Sequence, residues 1–209
     1  MTLRDKAQKL ASYIQSLPDF VMVPDITYSH IGAIIVDALL QAGANYDGVK
    51  ERVDKMLAIP QAKTTTGFIA FINELEQRGE SLNSLLFWDG KKPRWIRKFA
   101  IFLYRERIET NLDLKRWLEN PQNPPRLFEN DGFGDKTVDY LKKLAGIPNI
   151  AIDRYWYDCL DKAGIPYTDY QDAKAIADEA ADIMGVDKSV LDTSLWNWWR
   201  KNNPGSSCA

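Results

Sequence analysis

One stretch of the chain, Asn130 to Asp153, brings together an amine, an acid and a glycine-rich turn. It opens with Asn130-Asp131-Gly132-Phe133-Gly134-Asp135-Lys136-Thr137 and closes with Gly146-Ile147-Pro148-Asn149-Ile150-Ala151-Ile152-Asp153. Two glycines around one apolar residue let the backbone turn sharply and take positive φ without a Cβ penalty. Asp135 is placed as the N-cap of a helix whose apolar stripe is Val138, Tyr140, Leu141 and Leu144. Backbone amides at such a turn and helix start form an anion site suited to a phosphate. Lys136 falls in the first turn of that helix, and Asp153 follows seventeen positions later at the end of an apolar run. A lysine that loses solvent and gains cationic neighbours has a lowered pKa, which favours the nucleophilic free amine. Each residue also has an ordinary use, since first-turn lysines are commonly solvated and Asp153 can cap the next helix.

The Gly132-Phe133-Gly134-Asp135-Lys136-Thr137 run, with Ile147-Pro148-Asn149-Ile150-Ala151-Ile152-Asp153 downstream, resembles the helix-hairpin-helix (HhH-GPD) DNA glycosylases of the endonuclease III superfamily. Those enzymes carry Gly-x-Gly-x-Lys-Thr, a helix, and then Val-Asp or Ile-Asp. The lysine and aspartate of that pattern fall on Lys136 and Asp153. The resemblance implies an all-α, two-domain helical glycosylase fold with an active-site cleft between the domains. Residues 26–147 would form a central helical domain ending in the hairpin, with 1–25 and 148–209 forming the second. It is specific across residues 126–155 and diffuse from Tyr28 through Arg107, where Leu39-Leu40-Gln41-Ala42-Gly43 is similar to the end of the family's early helix. It says little about residues 160–209.

The activity implied is base-excision repair by a DNA glycosylase with an attached AP lyase step. Lys136 would attack the sugar carbon that bears the base, displace the base and leave a Schiff base; elimination of the 3′ phosphate then nicks the strand. Asp153 would stabilise oxocarbenium-like charge and help manage the lysine proton. The backbone of Gly132, Phe133, Gly134, Asp135 and Thr137 would hold a DNA phosphate, fixing register without reading sequence. The implied partner is double-stranded DNA containing a damaged or mismatched base, met by a monomeric protein inside the cell. An enzyme of this kind extrudes its target nucleotide, and a side chain fills the gap left behind. Gln41, Asn45 and Tyr46 lie in the loop where the family places that residue, and Trp196, Trp198 and Trp199 are candidates for stacking in a base pocket. A glycosylase without the lyase step, or a helix-hairpin-helix DNA-binding protein without chemistry, remain open alternatives.

Two departures from the family stand out. Several members hold an iron–sulfur cluster with four closely spaced cysteines after the catalytic segment. This chain has only Cys159 and Cys208, too few and too far apart for a metal cage or a disulfide framework, so no metal or cofactor is expected. The family often has a histidine two residues after the acid, and here that position is Tyr155. His30 is the sole histidine, which excludes a His-based triad or a multi-His metal site and suits a helix start instead.

The elements that must position these residues read as helices almost throughout. Apolar periodicity predicts helices over 3–16, Tyr28 to Gln41 with Gly43 as a stop, a segment from Val49 ending before Pro60, and one N-capped within Thr64-Thr65-Thr66, holding Phe68, Phe71, Ile72 and Leu75, that stops near Gly79. Ser81 to Phe87 is a short helix, followed by one from Pro93 to Ile108 with Trp95, Phe99, Phe102 and Leu103 as its core stripe. Further helices are expected at Leu112 to Leu118, at Arg126 to Asn130 as the first arm of the hairpin, and near 154–163, 171–184 and 189–201. The Gly205–Ala209 tail reads as disordered. The seven tryptophans are expected mostly in the core.

With 209 residues, 45% of them hydrophobic, the chain can bury a substantial core. No apolar run reaches the length of a membrane span and no cleavable leader pattern is evident. The net charge of −2 argues against indiscriminate nucleic-acid binding. Its distribution says more: Lys91 to Arg107 holds seven cations against Glu106 alone, whereas Asp172 to Asp192 holds six acids against Lys174 and Lys188. A local basic face on an acidic protein suits a phosphate-backbone footprint.

Overall fold

The computed structural model describes residues 1–41, 44 and 46–203. Among them all regular structure is helical, as the periodicity predicts: α1 (Leu3–Gln15), α2 (Ile31–Leu40), α3 (Tyr46–Leu57), α4 (Thr65–Gln77), α5 (Leu82–Leu86), α6 (Lys92–Arg105), α7 (Asn111–Glu119), α8 (Asp135–Leu144), α9 (Arg154–Lys162), α10 (Tyr170–Met184) and α11 (Lys188–Asn202), with 3₁₀ turns at Pro60–Lys63 and Pro124–Glu129. No helix among the described residues is long and apolar enough to cross a membrane. The chain divides into two compact units, Thr27–Gly146 and Met1–Ile26 joined by the described residues from Ile147 onward.

In the Thr27–Gly146 unit, α2 is the hub, packing against α3, α4, α6, α8 and the first 3₁₀ turn. All ten of its residues are buried, Asp37 among them. His30 caps it, its Nδ1 accepting from the Ala33 amide at 3.2 Å while its other ring nitrogen meets the Ile59 carbonyl at 3.0 Å. The helix therefore starts at Ile31 rather than Tyr28, because a side-chain cap fixes where helical φ and ψ begin. Burial lowers the His30 pKa and keeps the ring neutral, as an accepting nitrogen requires. Gly43 lies outside the described residues. In α6 the inward stripe is Pro93, Ile96, Phe99, Ala100 and Leu103, while the expected Trp95 and Phe102 are only half-buried.

The other unit packs α1 against α10, with α9 and α11 completing it. Its core is built from Ala7, Leu10, Ile14, Ile152, Trp156, Leu160, Ile176, Leu191 and Leu195. Of the seven tryptophans, only Trp156 and Trp199 are buried; the other five are half-buried, with indole too large and too polar to disappear from a small bundle's surface.

Candidate active site

The hairpin is anchored before it is aimed. Phe133 is buried and tilts against Phe99 of α6 with ring centroids 4.5 Å apart. Gly132 has φ +89, and a Cβ there would stand 2.9 Å from Trp95 Cε3 and 3.0 Å from Leu39 Cδ2. Only glycine satisfies both the positive φ and that close approach to α6 and α2. Gly134 differs. Its φ of −120 and ψ of −179 are open to any residue, and an added Cβ would meet nothing within 4 Å. The fold does not require glycine at 134.

Two details of the hairpin differ from expectation. Its first arm is a 3₁₀ turn, Pro124–Glu129, not the α-helix expected over Arg126 to Asn130. The paired prolines supply no amides to the turn, and Asn123 before them is already in the α region. The N-cap of α8 is Gly134, which moves Asp135 from cap to first helical residue, and no side chain caps the helix. Asp135 is the first-turn acid, favourable beside a helix N-terminus. Thr137 is buried beneath the turn.

Lys136 is half-buried in the first turn of α8. Its charge bears on Lys92 at the start of α6, whose pKa is lowered first by burial and then by Lys136. The Lys92 ammonium donates to the Leu40 carbonyl at 2.7 Å and lies 5.0 Å from the Trp88 ring centroid. Two amines therefore share this corner of the unit, at the end of α2. Gln41 is the C-cap of α2; its Oε1 is buried and has no partner among the described residues. Tyr46 opens α3 and is half-buried. Asn45 lies outside the described residues.

The same unit holds a buried acid that the sequence reading did not single out. Asp37 is 4% exposed, and Tyr140 of α8 donates its hydroxyl to Asp37 Oδ1 at 3.1 Å. Tyr28, from the segment preceding α2, bonds the same carboxyl. Burial pushes the Asp37 carboxyl up to about 6 against the lowering effect of Tyr140, Tyr28 and Lys143. Tyr140 is four residues after Lys136 and Lys143 three further on, so the three share one face of α8. The available signal was a lone acid in a helix otherwise without charge.

Asp153 belongs to the other unit. It caps α9, with Oδ1 accepting from the Arg154 amide at 2.7 Å, and it is half-buried. The segment leading into it is held by α10 and α11. Lys174 donates to Asn149 Oδ1 at 3.0 Å and to the Ile150 carbonyl at 3.2 Å; the Asn149 amide donates to Ser189 Oγ, and the Ile152 amide to Tyr170 Oη. Tyr155, where the family often has histidine, is buried and donates to Asp192 Oδ1 at 2.7 Å, as does the Trp156 indole. Those two bonds tie α9 to α11.

The three C-terminal tryptophans are placed differently from one another. Trp199 packs into the core with its indole N–H on Asp158 Oδ2 at 2.9 Å. Trp198 donates to the Pro18 carbonyl at 2.7 Å, and the Arg200 guanidinium lies 4.8 Å from the Trp196 ring centroid. Among the described residues no three His, Cys, Asp or Glu side chains are grouped to hold a metal ion.

No protein-family model matches the chain, and no curated protein matches it in sequence. Its structure is similar to the crystal structure of the H. pylori 3-methyladenine DNA glycosylase MagIII bound to 1,N6-ethenoadenine. The TM-score is 0.64 at 12% identity, covering 97% of this chain and 99% of that one.

Proposed function

We propose that this all-α chain, with the fold of a DNA glycosylase, removes a damaged or mismatched base from double-stranded DNA and then nicks the strand through Lys136. The observation that carries the reading is the build of α8: a helix without a side-chain cap begins at a glycine the fold does not need, with a half-buried lysine in its first turn. Glycine at an open position is explained by the close approach of a ligand to the backbone. The amides of the hairpin and of the first turn of α8, from Gly132 to Thr137, would accept a DNA phosphate, and the basic face of α6 would extend the footprint.

With the target nucleotide extruded, Lys136 Nζ attacks the sugar C1′ as the bond from C1′ to the base nitrogen breaks. Asp153 opposes the positive charge that develops on the sugar and takes up the lysine proton. The resulting Schiff base eliminates the 3′ phosphate. The gap in the duplex is filled by a side chain of the loop that holds Gln41, Asn45 and Tyr46, and the indoles of Trp196 and Trp198 are stacking surfaces for bases. The protein works as a monomer inside the cell, without metal or cofactor.

Borohydride trapping on lesion-bearing and abasic duplexes tests this. Wild type is expected to form a covalent adduct and nick the strand, and Lys136→Gln to do neither while still binding DNA. Base release without any adduct in wild type would leave a glycosylase that lacks the lyase step. An adduct formed by Lys136→Gln at the wild-type rate would move the nucleophile elsewhere.

A further inference from the structure

The segment that carries Asp153 is built unlike the helices around it. Residues 147–153 hold no regular secondary structure, yet Asn149, Ile150, Ala151 and Ile152 are all buried. Buried backbone amides and carbonyls need partners, and among the described residues no strand runs beside them to supply any. Side chains stand in. The Asn149 amide donates to Ser189 Oγ of α11 at 3.0 Å, and the Ile152 amide to Tyr170 Oη of α10 at 3.3 Å. Lys174, one turn along α10 from Tyr170, donates to Asn149 Oδ1 at 3.0 Å and to the Ile150 carbonyl at 3.2 Å.

Lys174 differs from Ser189 and Tyr170 in charge and in reach. Its side chain is only 14% exposed, and Asp178, one turn further along α10, accepts from it at 3.0 Å. An apolar residue would fill the same space without giving up the hydration of an ammonium. It could not donate to two points of one segment. With the charge answered by Asp178, the ammonium is left to hold Asn149 and Ile150 in register. Asp153 ends the segment with φ −129 and ψ −178, and its Oδ1 accepts from the Arg154 amide. No helical turn lies between the Lys174 contact at Ile150 and the Asp153 carboxylate, so a slip at one is passed to the other.

We propose that Lys174 is a positioning residue for Asp153: its ammonium, braced by Asp178, fixes the register of residues 149–152 and thereby the place of the carboxylate at the start of α9. This rests on the glycosylase reading above, in which Asp153 acts on the sugar, and adds to it the residue through which α10 takes part. Displacements of this size matter to chemistry, since misplacing a reacting group by about 1 Å can slow a reaction on the order of 10².

A double-mutant cycle in single-turnover excision tests this, at saturating enzyme on a duplex bearing 1,N6-ethenoadenine, hypoxanthine or 7-methylguanine, whichever wild type excises fastest. Lys174→Met keeps the apolar stem and removes the donors. It should slow excision by at least about tenfold while duplex affinity stays within about twofold of wild type. In the Asp153→Asn background the same substitution should change the rate by less than about twofold, because the carboxylate it positions is gone. Tyr170→Phe removes a single hydroxyl from the same segment and carries the cycle should Lys174→Met fail to fold. Its loss should likewise vanish when residue 153 is asparagine. A side chain that only stabilised the fold would cost the same in both backgrounds. Equal losses in both backgrounds, or a wild-type rate in each of the two variants that folds, would overturn the assignment while leaving the glycosylase reading intact. Wild type that releases none of the three bases, or Asp153→Asn that excises as fast as wild type, defeats that mechanism and the positioning role together.

Discussion

At Asp153, capping and the proposed catalytic role make different demands on one side chain. Asparagine keeps the oxygen that accepts from the Arg154 amide, so Asp153→Asn should cost only a few tenths of a kcal/mol in stability. It removes the negative charge, and base excision should slow by at least about 10² while duplex affinity stays near normal. Abasic-site nicking should suffer less, because the base has already gone. Excision within about threefold of wild type would reduce Asp153 to a helix cap. The acid and Lys136 could be proposed from sequence because both fall on the spacing of the motif that the chain resembles. Asp37 could not, since no local spacing ties it to Tyr140, 103 residues away. Its folded pKa of about 6 stands above the 3.8 of an ordinary aspartate. The stability it contributes is therefore complete below that ordinary value and is lost as pH rises through about 6, a penalty on the order of 3 kcal/mol at neutral pH.

Among the elements, the hairpin separates two kinds of glycine that look alike in sequence. Gly132 is required by packing and Gly134 is not, so their substitutions should fail differently. Gly134→Val has open space and an ordinary φ, and it should lower stability by less than about 1 kcal/mol, the loss of a good N-cap residue. If the α8 amides hold a phosphate, the same variant should weaken binding to every duplex by a similar factor, read by titration against matched, mismatched and lesion-bearing DNA. Loss confined to one sequence would contradict phosphate positioning. Helix period is a strong signal wherever one face is apolar, which is why α1, α4, α9 and α10 lie close to where their spacing puts them. Boundaries follow capping chemistry instead, and the period is blind to it: His30 shortens α2, Gly134 displaces Asp135, and Pro124 with Pro125 turns an expected α-helix into 3₁₀. In α6 Phe99 and Leu103 lie inward as assigned, while Ile96 and Ala100 take the inward places given to Trp95 and Phe102.

For the molecule as a whole, the proposed function makes charge decide how DNA would be met. A net charge of −2 offers no long-range attraction, so affinity must come from a local face. On α6, Arg97 is paired with Glu76 at 3.0 Å and Lys98 with Asp131 at 2.6 Å. These half-exposed pairs add little stability, but they divide the basic run into cations with a protein partner and cations such as Arg94, which is exposed. Replacing Lys91 and Arg94 together with glutamine should weaken binding to all duplexes at low salt. The slope of log affinity against log salt should fall by up to about 2, roughly 0.9 for each phosphate that is no longer neutralised. An unchanged slope would place the DNA backbone on another face.

The division of the chain also sets a schedule. Thr27–Gly146 is continuous, whereas the other unit takes α1 from one side of it and α9 to α11 from the other. During translation α1 must wait while about 120 residues are added, on the order of ten seconds at ordinary ribosome speeds. Through that interval Ala7, Leu10, Ala11 and Ile14 form an apolar stripe with no partner yet made. The nascent chain thus carries a short sticky handle ahead of a segment that can already fold, a form that holdase chaperones are suited to shield.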